Sequence, residues 1–290
     1  RISVEMRQIP LSEIRRQAER VLQDSQKASS TPFSSNANGT DASSQPDSRD
    51  FSSHGGSFRR ALARPGISFI CEVKKASPSK GMIAEHFPYL DIAREYEAAG
   101  AAAISCLTEP HWFLGSDQYL KEIASQVSIP VLRKDFTISP YMIYQAKAYG
   151  ASAILLICSI LDDAELHDYM QLADELHLDV LTEAHSAGEI ERAANAGARI
   201  IGVNNRNLKT FEVDVENSRR LRDLAPRDAL FVSESGIRTA EDIRALYENG
   251  TDAVLIGETL MRADDKRAIL NELTHLLPKE PLEEKNHEQD

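Results

Sequence analysis

The chain has 290 residues, 42% hydrophobic and 27% charged, with a formal charge of −12. A surface this acidic repels phosphate backbones and excludes an extended nucleic-acid interface, although a pocket can still be locally basic. No run of 18 apolar residues occurs, which excludes a helical membrane span, and no signal-peptide pattern is present.

The first stretch, residues 1–27, has Leu11, Ile14 and Val21 at helical spacing among charges and reads as a helical extension. A start at Arg1 rather than Met marks it as a fragment, a trimmed product or part of something longer. Residues 28–57 are rich in Ser, Gly, Asn and Pro and poor in large apolar residues, the composition of a flexible segment without a core. Residues 58–278 read as one catalytic domain, and 279–290 as a charged tail.

Within that domain short apolar runs alternate with amphipathic ones. Strands are expected at FICEVKK (69–75), AAISCLTE (102–109), PVLRKDF (130–136), SAILLIC (152–158), DVLTEA (179–184), RIIGVNN (199–205), LFVSES (230–235) and AVLIGET (253–259). Helices are expected to begin near Tyr89, Asp117, Pro140, Asp162, Ser186, Val215, Thr239 and Asp264. Ser186 with Glu189 and Thr239 with Asp242 have capping spacing. Gly100, Gly150, Gly197 and Gly250 sit where helices should end. Eight βα units with continuous apolar strands favour an α/β fold of the (β/α)8, or TIM-barrel, type. An open doubly wound sheet would usually carry a GxGxxG turn, and none is present.

A barrel of this kind places its chemistry at the C-terminal ends of the strands. The first strand ends with Glu72 and Lys74, which share a face, followed by Ser77. The third ends Lys134-Asp135-Phe136, putting an ammonium beside an aromatic ring. Desolvation and nearby cations are expected to lower the pKa of such a lysine and suit it to acid work. The fifth ends with Glu183, a carboxylate closing an otherwise apolar strand. On the sixth, Asn204 and Arg206 share parity, and a guanidinium fork suits a substrate carboxylate. The seventh and eighth end Ser235-Gly236 and Gly257-Glu258, where backbone N–H groups can meet a phosphate. Lys74, Lys134 and Arg206 against Glu72 and Glu183 predict a cationic cup in an acidic chain.

Other residues carry less. The histidines are scattered without HxH or HExxH spacing, so no metal is expected. His185, just after the fifth strand, is the only histidine near the expected mouth. Trp112, with Phe113 and Gly115, falls on the loop after the second strand and either covers an aromatic ligand or packs on a helix. Cys71, Cys106 and Cys158 lie in apolar stretches without CxxC spacing, the pattern of reduced core thiols in a cytoplasmic protein.

Six blocks, EVKKASPSKG (72–81), LTEPHWFLGS (107–116), LRKDF (132–136), GVNNRNLKTFEVD (202–214), SESGI (233–237) and LIGETLM (255–261), resemble the signature blocks of the indole-3-glycerol phosphate synthase family. The resemblance runs from about Phe69 to Leu276. It implies ring closure, decarboxylation and dehydration of 1-(2-carboxyphenylamino)-1-deoxyribulose 5-phosphate in tryptophan biosynthesis, with no cofactor and no metal. It implies Lys134 as general acid and Glu183 as the residue that stabilises the cationic intermediate or takes a proton. Glu72 and Lys74 match the remaining proton-transfer pair, with Lys74 also near the phosphate. Asn204, Arg206 and Ser77 match anthranilate-side contacts. Ser235, Gly236, Gly257 and Glu258 match the phosphate cup, and Phe136 and Leu208 the apolar walls. It also implies that the helical extension folds over the barrel mouth, although residues 28–57 are longer than the family's usual joining segment. The implied partners are the small phosphorylated substrate and, unless the protein is a monomer, other enzymes of the same pathway.

Two other readings share part of this pattern. Phosphoribosylanthranilate isomerase would share the phosphate cup but leaves Glu72, Lys74, Lys134 and Glu183 unexplained together. A non-catalytic barrel subunit would be expected to lose those mouth charges, and all are present.

Overall fold

The structure is a computed structural model that describes Arg16, Arg20, residues 56–207, Thr210 and residues 212–278. The expected N-terminal extension lies outside the described residues except for Arg16 and Arg20, as does the Ser-rich segment except for Gly56 and Ser57. Leu208 and the tail 279–290 also lie outside them.

After helix α1 (Ser57–Leu62) comes β1 (Ser68–Val73), then a small hairpin of β2 (Ala76–Ser77) and β3 (Gly81–Met82). The alternation continues with α2 (Tyr89–Ala99), β4 (Ala103–Leu107), α3 (Asp117–Gln126), β5 (Val131–Lys134) and α4 (Pro140–Ala148). Then follow β6 (Ala153–Ile157), α5 (Asp163–Glu175), β7 (Asp179–Ala184), α6 (Ala187–Asn195), β8 (Ile200–Asn204) and α7 (Glu216–Leu221). The chain closes with β9 (Leu230–Glu234), α8 (Ala240–Glu248), β10 (Ala253–Ile256), α9 (Glu258–Arg262) and α10 (Lys266–Thr274). Eight parallel strands form one closed barrel in the order β1-β10-β9-β8-β7-β6-β5-β4.

All eight expected strands are present, most of them shorter than expected at one or both ends, with β7 as expected and β1 beginning one residue earlier at Ser68. The last residues of the expected eighth strand turn instead into α9, and the β2–β3 hairpin was not anticipated. Gly100, Gly150, Gly197 and Gly250 each have positive φ beyond a helix end. Thr239 and Asp242 form a full capping box. Ser186 does cap α6, but the Glu189 carboxylate goes to the backbone N–H and ring of His185 instead of to Ser186.

Register decides what reaches the mouth. Leu107 pairs with Lys134, Ile157 with Glu183 and Leu255 with Glu234. Charged and apolar strand ends therefore alternate around part of the barrel, and the aliphatic neighbours keep water from the ionised groups. At the opposite end α1 buries Phe58 and Leu62 completely. Its N-terminus is capped in trans: Asp179, the first residue of β7, accepts from Gly56 N at 3.2 Å and Arg59 N at 2.9 Å. A carboxylate at that position satisfies orphan amide donors and favours the helix dipole.

Candidate active site

A cavity of about 370 Å³ opens at the C-terminal ends of the strands. Glu72, Lys74, Ser77, Lys134, Phe136 and Glu183 line it, from β1 to β7 and their loops. Asn204, Arg206, Ser235, Gly236, Gly257 and Glu258 complete the lining from β8 to β10. Every expected site residue among those described is thus brought to one cavity.

Lys134 is central. Its Nζ lies 3.2 Å from Glu183 Oε2 and 3.7 Å from Glu234 Oε2. The other oxygen of Glu183 accepts from Asn204 Nδ2 at 3.2 Å and stands 3.4 Å from His185 Nε2. Glu72 and Lys74 form their own ion pair at the edge of β1. Asn204 Oδ1 accepts from Arg206 N at 3.0 Å, bending the chain after β8 so that both side chains serve the cavity.

The electrostatics differ from expectation at Lys134. Burial opposes its charge, but Glu183, Glu234 and Glu72 outweigh burial and raise its pKa above the ordinary lysine range. The lowered pKa expected from the sequence is therefore wrong, because the neighbours are carboxylates and not cations. Burial also opposes charge on Glu183, yet Lys134, His185 and the Asn204 hydrogen bond carry its pKa below the usual value. Glu234 goes the other way: burial, then the charge of Glu183, push it up to about 8, and Lys134 offsets this only in part. One floor of the cavity thus holds an ionised carboxylate, a carboxyl group that keeps its proton near neutrality, and an ammonium between them. Environments that push such values apart divide acid from base.

The expected net positive cup also needs correcting. The lining adds Arg238 and Arg262, but also Glu109, Asp135, Glu234 and Glu258, which leaves no net positive charge. Cations are instead placed locally, with Arg206 close enough to Arg238 for each charge to be felt. The Glu258 carboxylate turns to Arg262 at 3.3 Å and Lys80 at 3.8 Å. Its charge also acts on Arg206 across the cavity.

Backbone shape supports that cup. Ser235 has φ 69° and Gly236 φ 84°, two consecutive left-handed residues at the end of β9. Such turns form concavities lined by amides, and the non-glycine Ser235 is the strained member. At Gly257 close approach governs: an added Cβ would lie 2.5 Å from Glu72 Oε1 and 2.7 Å from Lys74 Nζ.

Glu109 builds the aromatic side. Its buried carboxylate accepts from the N–H groups of His111 at 2.8 Å, Trp112 at 2.7 Å and Phe113 at 3.1 Å. That fold of the loop sets Trp112 edge-on to Phe136 with centroids 5.9 Å apart, and Phe113 at 6.2 Å. Trp112 lines the cavity and also packs on the core. Behind Lys134 the buried Arg133 donates to Met142 O, Asp117, Gln145 and Thr108 at 2.7–3.2 Å, fixing the outer face of β5.

Residues 13–273 match the family described as indole-3-glycerol phosphate synthase. The chain belongs to the indole-3-glycerol phosphate synthase family. It is 62% identical over 216 residues to the synthase of Ruminiclostridium cellulolyticum, covering 74% of this chain and 83% of that one. It is 56% identical over 220 residues to that of Lachnoclostridium phytofermentans, covering 76% and 81%. Among solved structures, 3-hexulose-6-phosphate synthase from Salmonella typhimurium matches with a TM-score of 0.60 at 13% identity, covering 72% of this chain and 97% of that one, a likeness of fold alone.

For a member of the indole-3-glycerol phosphate synthase family, sequence reasoning overlooked three things at the site. Glu234 sits inside the quoted SESGI block and shares inward parity with Val232, so strand alternation alone could have exposed it. Glu109 was detectable only as a charge closing the LTE run. Arg133 had no signal, because its outward side chain looks like a surface residue until the helices cover it.

Proposed function

We propose that this chain closes the indole ring of 1-(2-carboxyphenylamino)-1-deoxyribulose 5-phosphate, with loss of carbon dioxide and water, as a carboxy-lyase of tryptophan biosynthesis. The observation that carries the assignment of roles is the buried row Glu183–Lys134–Glu234 at the floor of a cavity with an aromatic wall on one side and a glycine-shaped turn on the other.

The substrate lies with its phosphate at Ser235, Gly236, Gly257 and the Glu258 backbone, and its ring against Phe136, Trp112 and Phe113. Arg206, Asn204 and Ser77 take the carboxylate side. Lys134 gives a proton to the ketone oxygen as the ring carbon bearing the carboxylate attacks. An ammonium held at that oxygen stabilises the charge that develops there. Loss of carbon dioxide then returns the bonding electrons to the ring and quenches the cation, which the ionised Glu183 stabilises until that point. In dehydration the hydroxyl leaves with a proton as water, and a base removes the hydrogen from the neighbouring carbon. Glu72 with Lys74, and Glu234 while protonated, are the groups placed for these transfers.

Metal and cofactor are not required by this scheme. We place the reaction in the cytoplasm, where the three buried, unpaired cysteines stay reduced. Among the described residues no helix is long and apolar enough to cross a membrane. The protein works as a monomer or beside other enzymes of the pathway. The test is to supply the substrate to chelator-treated protein and follow indole fluorescence with carbon dioxide release. Product at a rate unaffected by the chelator supports the reading, and folded protein that binds substrate without turning it over overturns it.

A further inference from the structure

We propose that His185 is a positioning residue for this reaction: braced by Glu189, it fixes the aim and charge of Glu183 and so sets how readily Lys134 releases its proton. The proposal rests on the roles of Lys134 and Glu183 given above.

A lysine surrounded by carboxylates holds its proton tightly and is a weak acid. Lys134 faces Glu183, Glu234 and Glu72. Something must draw charge from Glu183 if that proton is to leave, and the far oxygen of Glu183 points at His185. The ring is clamped from behind. Glu189 Oε2 stands 3.2 Å from Nδ1 and also accepts the His185 backbone N–H at 2.7 Å. Among the described residues Nε2 makes no hydrogen bond, and it faces Glu183 Oε1 at 3.4 Å, so it acts on that carboxylate as a charge.

The groups acting on His185 come from three elements: Glu183 on β7, Glu234 on β9 and Glu189 on α6, with Lys134 of β5 beyond Glu183. Asn217 of α7 reaches only its carbonyl, at 3.3 Å. Burial disfavours the imidazolium, but the Glu189 hydrogen bond and the surrounding carboxylates outweigh burial and favour it. The result is a row of alternating charge, Glu189, His185, Glu183, Lys134, running from the rim of the barrel to the cavity floor. An imidazolium at one end of Glu183 competes with the ammonium at the other, which leaves Lys134 a stronger acid than its three carboxylate neighbours alone would allow.

The test compares His185→Gln, Glu183→Gln and the double variant with the native chain, reading kcat, KM and the pH profile of kcat. Gln keeps the main-chain bonds of His185 but cannot carry charge. His185→Gln is expected to lower kcat roughly 10- to 100-fold, with KM within about twofold, and to move the acid limb of kcat to higher pH. The double variant should lose no more than Glu183→Gln alone, because His185 acts through Glu183. Glu189→Gln should shift the acid limb in the same direction by less. An unchanged kcat and profile in His185→Gln, beside a damaged Glu183→Gln, overturns the proposal while the assignment of Glu183 stands. Lower kcat with an unmoved acid limb also overturns it, by assigning His185 a structural role. A Glu183→Gln variant with native kcat removes the role of Glu183 itself, and the proposal with it.

Discussion

Gly202 on β8 leaves the space that the Glu234 carboxyl group occupies, since a Cβ there would stand 2.2 Å from Glu234 Oε1 and 3.1 Å from Leu181 Cδ1. The carboxyl is the movable partner. Gly202→Ala should therefore cost only about 1–3 kcal/mol of stability, the ordinary penalty for overpacking. Activity should fall further, roughly 10- to 100-fold in kcat, because Glu234 is pushed away from Lys134. Thermal melts and steady-state kinetics on the same preparation check this. A variant that melts lower but turns over at the native rate would show that the placement of Glu234 is immaterial.

The barrel was legible because each strand is a short apolar run, several helices carry their own N-caps, and four end at a glycine of positive φ. Those signals are local, and they survive folding. The site was legible for a related reason: Glu72, Lys134, Glu183 and Asn204 are polar residues at the ends of apolar strands, where no solvated face exists to explain them. The charge state of Lys134 was not legible, since it depends on Glu234, Glu183 and Glu72 converging from other strands. Nor was the use made of Glu189, whose spacing to Ser186 fits a cap while its carboxylate serves His185. Local patterns show what a side chain is able to do, and tertiary packing chooses among those options.

Glu234 also predicts a pH dependence of stability. Its pKa in the folded chain is about 8, above the ordinary carboxyl value. The folded state therefore binds this proton more tightly than the unfolded state does. Stability from this group is fully present at low pH, declines as pH rises past the unfolded value, and is spent once pH passes about 8. Glu183, with its lowered value, contributes in the opposite sense and at lower pH. Glu234→Gln removes only the first contribution. Its melting temperature relative to the native chain should rise between pH 5 and pH 8.5, a range chosen to span roughly both titration points. A difference that stays flat across the range would show that Glu234 is ionised throughout.

The loop after β4 should respond to Glu109 and report through the chain's single tryptophan. Three backbone N–H groups depend on that carboxylate. Glu109→Ala should cost about 1–3 kcal/mol, the penalty for leaving buried donors unpaired. It should also raise KM, since Trp112 and Phe113 lose their fixed approach to Phe136. Trp112 emission should shift to the red as the indole meets water. An unshifted spectrum with a native KM would show that Phe136 and the core hold the loop without Glu109.

Lys134→Ala separates binding from chemistry. The phosphate turn, Trp112 and Phe113 lie on other strands and loops, and Phe136 follows β5 without bonding the ammonium, so substrate should still bind, and quenching of Trp112 offers a direct titration without turnover. Removal of a positioned general acid typically costs about 10²- to 10⁴-fold in rate, and kcat should fall within or beyond that range. The pH dependence of stability should also change, because Glu183 loses the ammonium that holds its pKa down. Its carboxylate then contributes less to stability above the ordinary carboxyl pKa than it does in the native chain, so the two melting curves should separate as pH rises from acid to neutral. Near-native kcat with tight binding would move the acid role to Lys74. Loss of binding together with kcat would instead mean that Lys134 holds the substrate and does not act on its carbonyl.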